Sequence, residues 1–190
     1  LKQFLSAKQF ISTLFESIHS NVIEESSYDK KLKSGFQWFS VAFTNLSVLR
    51  NSEFSLGKET SKSLSKLLAD YENDLSKMLR SWILSILNDM FRENDKLFND
   101  FASVEISNVI SFKILQQKIK YIQSKMGTSA IEKSLFGKLI ETLIQYLNLN
   151  VANHVLIKIP SVDFETGIIL EKNLDTLLEY CEELKLSNCR

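Results

Sequence analysis

Apolar residues recur at helical spacing along almost the whole chain. In the first segment, residues 4–22, they fall three or four positions apart on one face. The longest stripe covers residues 64–90 and keeps its spacing for about seven turns, ~40 Å of helix. Trp82 continues this stripe, so its side chain is predicted to be buried between helices. The pattern predicts long amphipathic helices with polar breaks at 24–35 and 50–61.

Local signals predict where several of these helices begin or end. Ser6 and Gln9 form a capping box near the start of the first helix, and a strongly apolar second helix is predicted over 36–49. A fourth helix over 106–125 is predicted to close at Gly127, in the left-handed conformation that glycine often adopts after a helix C-terminus.

The C-terminal part of the chain is predicted to contain two more helices. Ser129 and Glu132 form a second capping box, which starts a helix over 130–158, and the only proline of the chain stops that helix. Asn173 precedes another apolar-periodic segment. Because an amide side chain caps helices well, we predict that Asn173 is the N-cap of a last helix over 174–184.

The composition favours the same architecture. The chain of 190 residues is 44% hydrophobic and 24% charged, with five glycines and one proline. So few helix breakers favour long helices over many short strands. We therefore predict a single all-α domain over 1–190, an elongated bundle of about six helices of which several are long and amphipathic.

Charge and cysteine use narrow the functional classes. The formal net charge is zero, whereas a nucleic-acid-binding protein normally carries a basic excess, so direct nucleic-acid binding is not expected. Cys181 and Cys189 would lie ~12 Å apart if one helix carried both, too far for a disulfide. They are predicted to be reduced thiols of a cytosolic protein.

Residue patterns typical of catalysis or metal binding are missing from the sequence. His19 and His154 have no Cys, Asp or Glu at a metal-ligand spacing. There is no glycine-rich phosphate loop and no nucleophile elbow. We predict no catalytic residue, no metal and no cofactor, and an enzyme would require long-range geometry that the sequence does not reveal.

Two charged faces are candidate partner-binding sites. Lys118 and Lys125 lie in a stretch without acidic residues, where they either cover apolar surface with their stems or form a basic rim for an acidic peptide. Glu179 and Glu183 share a face of the acidic last helix, which is either a solvated face or a docking surface.

The order of these segments resembles the dilute module of class V myosin tails. The tryptophan-containing stretch at 35–49 is similar to that family's W-[LI]-S helix, with Trp38, Phe39 and Ser40 in the motif. The apolar stretch at 134–158 is similar to the helix that precedes the family's last motif. The resemblance spans residues 5–186, nearly the whole chain.

The last motif of the family reads S-W-x-x-G-x-Q-[IL]-x-Y-N-x-x-x-L-E-E-W. The chain matches it at six positions, which are Gly167, Leu170, Asn173, Leu177, Glu179 and Tyr180. It departs from the family at Phe164, Ile169, Lys172 and Val41, where the family has tryptophan, glutamine, tyrosine and asparagine. The resemblance implies that Gly167 lies in a joint between two helices and that Asn173 caps the second.

The function that the resemblance implies is cargo attachment. Adaptor or receptor proteins on a vesicle, organelle or ribonucleoprotein particle would bind the helical surface, and a motor domain elsewhere would move along actin in the cytoplasm. The chain resembles the first half of such a tail, so the second half would be a further partner, and membranes would be reached only through adaptors. Two alternatives stay open: a junction or small-GTPase-linked scaffold of the afadin type, which carries the same module, and a helical-rod vesicle-tethering subunit.

Overall fold

The computed structural model describes residues 2–53, 58–91, 104–108, 110–158 and 163–188, and these residues are almost entirely helical. The six α-helices of this described part are α1 (Lys2–Ile18), α2 (Tyr28–Glu53), α3 (Lys58–Phe91), α4 (Ile110–Lys125), α5 (Ala130–Lys158) and α6 (Phe164–Asn188). A π-helical turn, His19–Ile23, follows α1, and a 3-10 turn, Ile106–Asn108, precedes α4. The described residues contain no β-strand, which confirms the predicted all-α class.

The chain forms two compact units. The first consists of Leu1–Ile86 and Gly127–Glu132, and the second consists of Leu87–Met126 and Lys133–Arg190. Helices α3 and α5 contribute residues to both units. One domain over 1–190 stays a prediction.

The first unit is built on the apolar faces of α1, α2 and α3. Helix α1 buries Ile11, Leu14 and Ile18, and Val22 of the π-helical turn is also buried. The turn contacts both α1 and α2. The stripe predicted in α3 is confirmed over its length in this unit, where its buried apolar residues are Leu64, Leu68, Tyr71, Leu75, Leu79, Trp82, Ile83 and Ile86.

Helix α2 begins at Tyr28, well before the predicted start at residue 36, so the predicted loop over 24–35 is confirmed for 24–27 and wrong for 28–35. The N–H of Lys31 donates to the carbonyl of Ser27, which makes Ser27 the N-cap, and Asp29 lies in the favourable first turn. The segment looked like a loop because it is highly polar. Its one apolar residue in the first turns of the helix, Leu32, is fully buried and anchors it.

Trp82 lies in the centre of the first unit, and its predicted burial is confirmed, with 1% of its surface exposed. Its ring packs edge-on against Phe36, with centroids 5.3 Å apart, and tilts against Phe39 at 5.5 Å. The indole N–H donates to the carbonyl of Lys31 at 3.1 Å. One side chain of α3 therefore makes both aromatic and polar contacts with α2.

Because Gly35 has no side chain, it leaves space for the indole of Trp82. A Cβ at this position of α2 would overlap Cε2, Cζ2 and Nε1 of Trp82. The glycine lies inside a helix, where it lowers helix stability relative to alanine, so its role here is close approach and not a turn.

Tyr71 makes a second contact between α3 and α2. Its hydroxyl donates to the carbonyl of Ala42 at 3.2 Å, and its ring lies 5.1 Å from that of Phe15 in α1. Burial raises the pKa of Tyr71 to about 12, because the ionised phenolate is poorly solvated there. The phenol is therefore a neutral hydrogen-bond donor throughout the physiological range.

The second unit contains α4, most of α5, α6 and the C-terminal end of α3. Helix α4 buries Phe112, Leu115, Ile119 and Ile122. Helix α5 buries Leu135, Phe136, Leu139, Ile140, Leu143, Leu147 and Val151. Stacked rings of Phe91 and Tyr146, 4.8 Å apart, join the end of α3 to α5.

The C-terminal end of α4 contradicts the predicted glycine cap, whereas the N-terminal end of α5 confirms the predicted capping box. No described glycine has a positive φ, so the left-handed cap at Gly127 is wrong. The capping box is confirmed: the N–H of Glu132 donates to Oγ of Ser129 at 3.1 Å, and the hydroxyl of Ser129 donates to the Glu132 carboxylate at 2.8 Å. A Cβ at Gly127 would overlap that carboxylate, so the glycine leaves room for the cap.

Two predicted starts are also wrong. Helix α1 begins at Lys2, so Ser6 lies inside the helix and does not cap its start. Helix α4 begins at Ile110, after the 3-10 turn, whereas the predicted helix began at residue 106. A 3-10 turn has nearly the same apolar spacing as an α-helix over three residues, which is why the pattern alone merged the two.

The first prediction concerns Trp82→Ala. Truncation leaves a cavity between Phe36 and Phe39 and removes the bond to the Lys31 carbonyl, so the free energy of unfolding should fall by ~3–5 kcal/mol. Chemical denaturation measures this, and Trp82→Phe, which keeps a ring and loses the donor, should lose less. An unchanged unfolding midpoint in Trp82→Ala would contradict the central role of the indole.

Candidate functional site: the last helix and its outer face

Helix α6 begins ten residues before its predicted start. The N–H of Thr166 donates to the Asp163 carboxylate at 2.8 Å, and the N–H of Gly167 donates to the Asp163 carbonyl at 2.9 Å. Asp163 is therefore the N-cap. The joint predicted at Gly167 is wrong, because Gly167 lies in the first turns of α6 without a positive φ.

Asn173 is buried inside α6 and is not its cap, so this prediction is also wrong. Only 1% of its surface is exposed, and its side-chain amide donates to the carbonyl of Val104 at 2.8 Å. Beside it, the amine of Lys172 pairs with the Glu105 carboxylate at 3.2 Å on the surface. These contacts hold the segment 104–108 against α6.

A polar pocket lies where this segment meets α6. Its volume is about 280 Å³, and it is lined by Glu105, Ser107, Lys172, Asn173, Asp175, Thr176 and Glu179. Three of these side chains are carboxylates and one is an amine, so the pocket favours a cationic group over an anionic one. No group of three or more His, Cys, Asp or Glu that could hold a metal ion occurs in the part of the chain that the structure describes.

The two sides of α6 differ in character. The buried side consists of Leu170, Asn173, Leu177, Tyr180 and Leu184. The outer face, a name kept below for the exposed positions opposite, consists of Phe164, Glu165, Ile168, Glu171, Lys172, Leu174, Asp175, Leu178, Glu179, Glu182 and Glu183. Phe164 is 84% exposed and Leu178 is 54% exposed. Apolar side chains are thus interspersed with six carboxylates and one lysine along this face.

The four predicted partner-binding residues fall into two groups. Glu179 and Glu183 are both exposed on the outer face of α6, and Glu179 also lines the pocket. Lys118 lies half-buried in α4, where its amine donates to the carbonyl of Met90 at 2.9 Å. Lys125 lies over the ring of Tyr121 at 4.6 Å. The acidic pair is therefore presented to solvent, whereas both lysines are engaged within the chain.

Among the histidines and cysteines, the side chain of His19 is the one that the structure describes. Nδ1 of His19 pairs with Glu24 at 3.2 Å on the surface of the π-helical turn. The side chains of His154 and Cys181 and the whole of Cys189 lie outside the described residues.

The sequence contains a signal for the true start of α6 at Asp163, but a second signal at Asn173 competed with it. Asp163 is an N-cap residue type that precedes an apolar-periodic segment, and Glu165 adds an acidic residue in the first turn, both signals of a helix start. Asn173 offered an equally good cap ten residues later. Its true partner, the Val104 carbonyl, is 69 positions away, and only the tertiary structure brings the two together.

Comparisons with protein-family models, curated proteins and solved structures gave no match to this chain. Among the helices of the described residues, none combines the length and the apolar character needed to cross a bilayer.

Asn173→Ala should detach segment 104–108 from α6. Loss of a buried amide leaves the Val104 carbonyl without this donor, and the free energy of unfolding should fall by about 1–3 kcal/mol. Hydrogen exchange should also become faster in 104–108. Asn148→Ala, at an exposed position of α5, is the matched control and should change little. Equal effects of the two substitutions would contradict an anchoring role for Asn173.

The cap at Asp163 makes stability depend on pH in a defined direction. The bonds from the backbone and side chain of Thr166 lower the pKa of Asp163. Its stabilisation is thus fully present above the unfolded pKa of ~3.9 and is lost as the pH falls through the lower folded value. Asp163→Asn keeps an acceptor but not the charge. The melting temperature of the wild type should exceed that of Asp163→Asn near neutral pH, and the gap should close in acid; a gap that widens in acid would contradict the cap.

Proposed function

We propose that this chain is a cargo- or adaptor-binding module of a class V myosin tail, which links an actin-based motor to vesicles, organelles or ribonucleoprotein particles. The observation that carries the proposal is the outer face of α6, where exposed apolar side chains such as Leu174 and Leu178 lie among six carboxylates and one lysine. Such a face suits a protein partner, because apolar contacts provide affinity and the charges select the partner and fix its orientation.

The sequence resemblance supports the same proposal. Four positions shared with the last motif of the dilute module, Leu170, Asn173, Leu177 and Tyr180, form the buried side of α6. These positions hold the helix in place, and Asn173 makes the anchor to Val104. A shared packing side fits a module whose members hold one architecture and bind different adaptors.

The site also indicates the kind of partner. Glu105, Asp175 and Glu179 at the pocket and the acids along α6 favour a partner segment with lysine or arginine next to apolar residues. In this proposal the chain turns over no substrate, reaches membranes only through adaptors, and works in the cytoplasm beside actin. A motor ATPase belongs to another part of such a protein.

Two other members of the protein-binding class would use the same face. A scaffold of the afadin type would carry the module beside small-GTPase-binding domains, and a vesicle-tethering subunit would carry it among further helical pairs. Identification of the proteins retained by the purified chain from cytosol separates the three, since motor adaptors, junction proteins and tethering subunits are distinct sets.

Charge reversal tests the proposed face. Glu179→Lys with Glu183→Lys should leave the unfolding midpoint nearly unchanged, because exposed charges contribute little to stability. Association with a purified partner, measured by surface plasmon resonance, should slow at low salt, and the slowing should shrink as salt rises.

The matched control is Asp70→Lys with Asp74→Lys, two exposed acids at the same spacing on α3. It should bind like the wild type. Equal binding by the wild type and both double variants would show that Glu179 and Glu183 do not contribute to binding. Lys118 and Lys125 would then be the residues to test. Tight binding of a nucleotide, metal or metabolite by the isolated chain would contradict the cargo-adaptor class.

A further inference from the structure

Helix α4 has an exposed face opposite its buried residues, which are Phe112, Leu115, Ile119 and Ile122. Along the centre of that face lie Ile110, Ile114, Gln117, Tyr121 and Ser124, a set called the α4 seam below. The spacing between them alternates between four and three positions. This is the spacing of heptad positions a and d, along which two paired helices meet. Ile110 is 74% exposed and Tyr121 is 40% exposed, so the α4 seam presents apolar surface to solvent.

Lysines border the α4 seam on both sides. Helix α4 contains four lysines and no acidic residue, and the lysines occupy heptad positions e and g. Lys118 and Lys125 follow one edge, and both amines are engaged within the chain, as described above. Lys113 and Lys120 follow the other edge, where both are exposed and neither forms a hydrogen bond or ion pair with another described residue. A molecule that covers the α4 seam therefore meets positive charge at both edges and two amines available for pairing.

The polar residue in the middle of the α4 seam favours a helix over a lipid surface as the occupant. Gln117 is exposed and lies between the apolar residues Ile114 and Tyr121. A helix that lies in a membrane interface buries its apolar face among acyl chains, where the amide of a glutamine would lose its hydrogen bonds to water. A contact between two helices accepts a single polar residue, which helps to fix the register.

We propose that the α4 seam is a docking site for an acidic amphipathic helix of a partner protein. The apolar residues of the partner helix pack against Ile110, Ile114 and Tyr121. Its flanking glutamates or aspartates pair with Lys113 and Lys120. Apolar contact supplies affinity, and the charge pairs select an acidic helix over a basic one.

This surface does not rest on the proposed cargo-binding function. The outer face of α6 carries six carboxylates and one lysine, so it favours a basic partner and repels an acidic helix. An acidic helix therefore reports on α4 without competition from α6.

A synthetic peptide provides the probe. It consists of about three heptads with isoleucine at position a, leucine at d and glutamate at e and g. Fluorescence anisotropy of the labelled peptide, titrated with the whole chain, should show saturable binding that weakens as salt rises. A second peptide with the same glutamates but serine at a and d should bind far more weakly, because it lacks the apolar contact.

Charge variants test the lysine edge. Lys113→Glu with Lys120→Glu places acid against acid, so the dissociation constant of the acidic peptide should rise by about tenfold or more. Lys113→Ala with Lys120→Ala removes the charge and keeps high helix propensity, so a smaller rise is expected. The matched control is Lys62→Glu with Lys66→Glu, two exposed lysines on α3, which should bind like the wild type. All three double variants should keep the wild-type unfolding midpoint, since exposed charges contribute little to stability.

Substitutions in the α4 seam should change binding in opposite directions. Gln117→Leu should tighten binding of the acidic peptide several-fold, because an apolar side chain then meets the apolar line of the peptide. Ile110→Ala should weaken it, whereas Val48→Ala, at an exposed apolar position of α2, should not. Charge attraction alone predicts no change for any of these uncharged substitutions.

Three outcomes would overturn the proposal: no binding of the acidic peptide, binding that is unchanged in the Lys113 and Lys120 variants, or equal binding of the serine-containing peptide. Co-sedimentation of the chain with phosphatidylserine vesicles, lost in the same lysine variants and without any peptide binding, would overturn it in favour of a lipid surface.

The cargo proposal can fail or hold separately. Glu179→Lys with Glu183→Lys should bind the acidic peptide at least as tightly as the wild type, because the α4 seam is unchanged in that variant. Peptide binding at α4 without any effect of this variant on an adaptor would retain the α4 proposal alone. An adaptor that depends on Glu179 and Glu183, without peptide binding, would retain the cargo proposal alone.

Discussion

The buried amide of Asn173 is the constraint that the outer face of α6 depends on. An amide in an apolar helix interface is costly unless its hydrogen-bonding groups are satisfied. The bond to the Val104 carbonyl provides one partner, and it does so only at one rotation of α6 and one position of the segment 104–108. Leucines at 170, 177 and 184 would tolerate small rotations, because dispersion contacts have little directionality. The hydrogen bond of the Asn173 amide is directional and therefore fixes the rotation of α6.

That rotation determines which residues α6 presents to solvent. With Asn173 turned inward, Leu174, Leu178 and the carboxylates of the outer face are left exposed. It also brings Glu105 beside Lys172 and forms the rim of the polar pocket. The apolar and acidic surface is therefore a consequence of the packing on the opposite side of the same helix. A substitution at Asn173 would change which residues are exposed, although Asn173 itself is not on the surface.

The predictable parts of the fold were those with strong local signals. Helix α3 follows from an unbroken apolar stripe, and α5 follows from a capping box whose hydrogen bonds form between residues three positions apart. The starts of α2 and α6 were missed, because Ser27 and Asp163 compete with equally plausible polar residues nearby. The candidate residues were placed on the correct helices, but the engagement of Lys118 with the Met90 carbonyl depends on a contact across 28 positions, which no local pattern encodes.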